Sequence, residues 1–113
     1  MKQIDSISVA ELQGMAERMY GDFVKAVVDL ERGMVVVDAE MHADEEAFLL
    51  ESGSKQQDLW GINLYPEQFG TDDFVGFDSM INIRPSQQNR SRSVESEELQ
   101  QKIRTLVAQV VHS

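Results

Sequence analysis

Apolar residues recur at helical spacing from Leu12 through Met15 and Ala16 to Met19, the stripe of an amphipathic helix. Ser8 followed by Glu11 is a capping box, and Ile7 with Leu12 forms the matching hydrophobic staple. Gly21 stands where a left-handed stop belongs. The pattern predicts a helix over 9–20. The apolar period then changes to two. Val24, Ala26, Val28 and Leu30 alternate on one segment, and Val35, Val37, Ala39 and Met41 on the next. A two-residue turn at Arg32-Gly33 sets Leu30 against Val35, Val28 against Val37, Ala26 against Ala39 and Val24 against Met41. A three-residue loop would set the same positions against Asp38 and Glu40, on the wrong face. The two-residue register also places Lys25 opposite Glu40.

His42 to Gly53 reads as a short helix, with Asp44, Glu45 and Glu46 in the first turn, where the helix dipole favours anions. A second strand pair is predicted over 58–65 and 74–84, closed by Pro66 and Pro85. Trp60, Ile62 and Leu64 alternate on one strand, and Phe77, Ser79, Ile81 and Ile83 on the other. The opposite face collects Gly61, Asn63, Tyr65, Asp78, Met80, Asn82 and Arg84. Leu99, Ile103, Leu106, Val107, Val110 and Val111 form the apolar stripe of a last helix, predicted over 94–111. The order α-β-β-α-β-β-α predicts a single α+β domain over 1–113. Its sheet is mostly antiparallel, of about four strands, with helices packed on one face and the other face polar.

The chain has 113 residues, 42% of them hydrophobic and 27% charged, which matches one globular domain. It has no Cys, hence no disulfide, thiol nucleophile or thiolate metal site. No apolar run is long enough for a signal peptide or a membrane span, and a cytoplasmic location with no membrane partner is expected. A formal net charge of −10 opposes binding to duplex nucleic acid, which needs a basic footprint. The charge is also uneven. Asp38, Glu40, Asp44, Glu45, Glu46, Glu51 and Asp58 stand against Lys55 alone, whereas Arg84, Arg90 and Arg92 cluster with no acid between them.

Three segments carry a resemblance. They are His42-Ala43-Asp44-Glu45-Glu46, then Asp58 through Pro66 (DLWGINLYP), then Ile81 through Gln87 (INIRPSQ) with Asn89-Arg90-Ser91-Arg92. The chain resembles, over nearly its whole length, a small prokaryotic family, the domain-of-unknown-function family 5674. That resemblance implies no activity to carry over.

Two constellations carry candidate chemistry. Asn63 and Asn82 each sit between aliphatic neighbours in strand patterns, where Asn is depleted. With Tyr65, Asp78, Arg84, Ser86, Asn89, Arg90 and Arg92 they are expected to form a ligand site for a phosphate or carboxylate, since Arg presents planar bidentate donors. The plain alternative is a solvated face whose Arg residues pair with acids of the same or a partner chain. The second set, His42, Asp44, Glu45 and Glu46, offers imidazole and carboxylate ligands for a divalent metal such as Mg²⁺, Mn²⁺ or Zn²⁺. The plain alternative there is a solvated helix start. No GxSxG, HExxH, EF-hand or phosphate-loop motif is present. The residues name no activity. They favour a small acidic binding or interaction domain, taking a small anion, a second copy or another protein. The alternative is a small metal-assisted hydrolase or nuclease working through His42 and the nearby carboxylates.

Overall fold

A computed structural model describes residues 1–113. The chain opens with a short strand, β1 (Lys2–Ile4), and a two-residue strand, β2 (Ile7–Ser8), that leads into α1 (Val9–Arg18). Half of the capping box forms: Ser8 Oγ accepts from the Glu11 N–H at 3.1 Å, and Glu11 Oε1 takes the Ser8 hydroxyl at 3.2 Å instead of the Ser8 N–H. Ile7 and Leu12 are both buried. Gly21, at φ +87°, donates its N–H back to the Ala16 carbonyl. The helix therefore ends before Tyr20, and Met19 leaves the buried stripe.

Strands β3 (Val24–Asp29) and β4 (Met34–Val37) form the predicted hairpin in a different register. Val28 faces Val35 and Ala26 faces Val37, and the ladder closes at Asp29 and Met34. The cause is Asp29. One carboxylate oxygen accepts from the Glu31 and Arg32 N–H groups, each at 2.9 Å, and the other from the Ser54 hydroxyl at 2.5 Å. This Asx-type capping builds a longer turn from Leu30 to Gly33, with Gly33 at φ +64°. A shift of two residues leaves every side chain on its expected face. It does separate Lys25 from Glu40: Lys25 lies opposite Asn63, with its ammonium 4.7 Å from the centre of the Tyr20 ring.

After α2 (His42–Glu51), β5 (Leu59–Leu64) pairs along its whole length with β3. The predicted partner strand over 74–84 is cut to β6 (Val75–Gly76). Beyond it the chain turns away, and side chains replace the ladder along the edge of β5. Asn82 Oδ1 accepts from the Gly61 N–H at 2.8 Å, and its amide donates to the Gly61 carbonyl at 2.9 Å. The same amide reaches the Phe77 and Arg92 carbonyls. Gly61 is required there, because a Cβ would lie 2.5 Å from Ser79 Oγ.

Helix α3 (Glu97–Val110) is capped by Ser96 and starts after the predicted Val94, and β7 (Val111–His112) pairs in parallel with β2. The main sheet has order β1-β4-β3-β5-β6 and is antiparallel throughout. The α+β class stands, but the helices do not share one face. The main core joins Leu12 and Met15 of α1 and Ile103, Leu106 and Val107 of α3 to one sheet face. On the other face Leu49 of α2 packs on Val27, Val36 and Leu59. The face expected to be polar is therefore covered by α2 and the segment after β6. No helix is long and apolar enough to cross a membrane.

Asn82→Ala strips Gly61 of both hydrogen-bond partners in a fully buried position. It is expected to cost about 2–4 kcal/mol in urea unfolding. Ser86→Ala, at an exposed position of the same segment, should stay within about 0.5 kcal/mol of wild type.

Candidate functional site

The covered sheet face is apolar at its centre and polar at its margins, so the expected site residues meet there only in part. Helix α2 turns His42, Glu45 and Leu49 inward, at the i, i+3, i+7 spacing of one helix face. His42 Nε2 donates to the Ile62 carbonyl at 2.7 Å, and burial lowers its pKa against the help of that bond. The ring is thereby held neutral with its proton on Nε2. Glu45 is fully buried, and its only partner is the Ala39 N–H at 3.3 Å from Oε2. Burial pushes its pKa up to about 9, so it is a neutral carboxyl at pH 7.

These positions dissolve the expected metal set. Asp44 faces solvent, Glu46 is half-buried, and no three His, Asp or Glu side chains converge where they could hold an ion. A protonated carboxyl is also a poor ligand.

The expected anion set is divided as well. Asn82 and Asn89 are buried brackets for backbone: the Asn89 amide donates to the carbonyls of Asn82 at 2.7 Å and Ser93 at 2.6 Å, and its Oδ1 accepts from the Glu95 N–H at 2.8 Å. Arg84 is buried, with its guanidinium carbon 4.0 Å from the centre of the Trp60 ring. It donates to the carbonyls of Gln56 and Leu59. Burial lowers its pKa, opposed by Glu46 and Asp58. Arg92 forms an exposed ion pair with Asp78 at 2.7 Å. Asn63 donates to the Asp78 carbonyl at 2.9 Å, Tyr65 rests against Phe23, and Ser86 and Arg90 are exposed. The Arg-rich loop does bind an anion, its own Glu95. That carboxylate accepts from the Arg90 and Ser91 N–H groups at 2.9 and 2.8 Å, and the Ser91 hydroxyl, with these two bonds, holds its pKa down. The structure thus places these residues in a framework that anchors the segment after β6, and the cavities of about 590, 520, 420, 290 and 170 Å³ are lined by other residues.

A groove of about 520 Å³ borders the acidic segment, between the outer side of α2, the end of α1 and the start of β1. Met1, Met19, Ala39, Ala47 and Phe48 form its apolar lining. Met1 is 53% exposed, Met19 39% and Phe48 36%. Asp38, Glu40, Asp44 and Glu51 supply the charge, and the lining holds no Lys or Arg. Two cations stand near the rim, the Met1 ammonium and Arg18, each 4.0 Å from Asp38. Asp38 adopts φ +71°, which sends the chain out of β4 and around the groove. Periodicity assigned Met19 to the buried stripe and so concealed the groove. The run of acids around Met41 to Glu51 was its one visible trace.

Glu45 makes stability depend on pH with a determinate sign. Its folded pKa lies above the unfolded value of 4.5, so between pH 4.5 and about 9 the folded state holds a proton that the unfolded state releases. Stability is therefore lost as pH rises through that window. His42 acts in the opposite sense, since its lowered pKa makes stability fall as pH drops below about 6.5. Glu45→Gln should match wild type near pH 4.5. By pH 8 it should be more stable by on the order of 2–4 kcal/mol in urea unfolding.

No curated protein and no solved structure matches the chain. One family model does, described as protein of unknown function (DUF5674), and it covers residues 3–110. With the match spanning the capping residues of α1, the whole main sheet after its first residue and all of α3, the chain belongs to the DUF5674 family.

Proposed function

We propose that this domain is a protein-interaction module whose docking surface is the groove beside α2, and that its partner is a basic amphipathic segment. The observation that carries the reading is the composition of the groove: an exposed Met and Phe lining ringed by Asp38, Glu40, Asp44 and Glu51. Exposed apolar side chains gathered in one concavity mark contact sites more often than chance surface. Methionine is flexible and polarisable, and it suits a surface that must mould to a helix face. A helix laid in such a groove contributes apolar anchors at i, i+3, i+4 and i+7. Lys or Arg on its flanks would meet the carboxylates, and the net charge of −10 would speed the encounter.

Fluorescence anisotropy with a labelled Lys/Leu amphipathic helix, compared with a Glu/Leu counterpart, tests this. The basic peptide should bind, and binding should weaken with added salt. Phe48→Ser leaves net charge unchanged and should weaken it by about tenfold or more. Phe69→Ser, at the opposite edge of the sheet, should have no effect. Equal binding of the two peptides, or full binding by Phe48→Ser, would refute the docking surface.

A further inference from the structure

The C-terminal half of α3 and the 66–74 loop enclose a slot of about 290 Å³. It lies on the sheet face opposite α2 and by the β6 edge, away from the groove near β1. Its walls are apolar: Val107, Phe74, Val75 and Val111 are buried side chains that present one flank to the slot, and Ala108 leaves room on the helix. Phe69 stands at the mouth, 40% exposed and edge-on to Phe74 at 5.2 Å between ring centres. A solvated Phe beside an apolar slot is a contact surface without a contact.

One cation enters this slot, Arg104, one helical turn before Ala108. Its guanidinium is held in place, with Nη1 donating to the Asp72 carbonyl at 2.9 Å and its carbon 5.2 Å from the centre of the Phe77 ring. Both restraints are uncharged. No carboxylate lies within 4.0 Å of Arg104, in a chain with twice as many acids as bases. The remaining N–H groups form a planar fork whose charge is uncompensated.

We infer that this slot is a binding site for a small apolar carboxylic acid. The carboxylate would lie on Arg104, and an aromatic or branched hydrocarbon end would run along α3 towards Ala108 and Val111. The volume holds roughly ten water-sized atoms, which sets the size of the ligand. A single Arg matches a monoanion. A phosphate dianion would need more donors. On the Arg-rich loop, by contrast, Glu95 already occupies the backbone donors.

The probe is 3-phenylpropionate, titrated into the ¹⁵N-labelled full chain against 3-phenylpropanol, which has the same hydrocarbon end and no charge. The acid should bind with a Kd of about millimolar or tighter and move the amides of Phe74 and of 104–111. It should bind roughly ten- to a hundredfold more tightly than the alcohol. Arg104→Gln should erase that difference while leaving the alcohol unchanged. Ala108→Trp, at an exposed helix position, should fill the slot and abolish both. Phe48→Ser should bind the acid as wild type does, so loss of the groove and loss of the slot are told apart. Equal binding of acid and alcohol, shifts located elsewhere, no binding, or a preference that survives Arg104→Gln would overturn the assignment.

Discussion

A strand at the margin of a sheet carries a row of backbone donors and acceptors that must find partners once they are covered. In this protein β5 meets that requirement with side chains. The amide of Asn82 presents to Gly61 a donor and an acceptor side by side, as a neighbouring strand would, at 2.8 and 2.9 Å. Arg84 extends the substitution by donating to the Leu59 carbonyl. Because one Asn can stand in for a strand, the chain after Gly76 is free to leave the sheet and cross its face. Asn89 then ties the crossing segment to itself, and Glu95 closes the loop before α3 begins. The covered second face and the placing of α3 on the first both depend on that bracket.

Covering both faces decides which polar groups remain chemically available. His42 and Glu45 point inward because α2 must bury Leu49 on the sheet, and i, i+3 and i+7 lie on one side of a helix. Burial outweighs the nearby opposite charges, Lys25 for Glu45 and Asp78 for His42, and favours the neutral form of each. Glu45, with its single long hydrogen bond and one unpartnered oxygen, is a cost to stability that the fold tolerates. Exposed apolar side chains meet concavities in two places of opposite electrostatic character. The groove beside α2 is ringed by carboxylates, and the slot along α3 holds one uncompensated cation. In a chain of net charge −10, an unpaired Arg beside exposed phenylalanine is the less expected arrangement.

Much of the architecture was legible from pattern alone. The start of α1, the alternating apolar sets of β3, β4 and β5, the stripe of α3 and the α+β class all follow from local preferences and from periods of 3.6 and 2, which the sequence by itself determines. Even the misplaced hairpin register kept its faces, because an error of two residues preserves the alternation. What only the tertiary structure decided depends on hydrogen-bond partners far apart along the chain. Ser54 and Asp29 set the turn, Asn82 and Gly61 end the ladder, and Asp72 steadies Arg104. An Asn between aliphatic residues looks the same to a periodicity argument whether it lines a pocket or replaces a strand. Met19 continues a helical stripe in sequence, yet the helix stops one residue before it and leaves it exposed in the groove. Periodicity reports which face of an element is apolar; which neighbour covers that face is settled only when the elements meet.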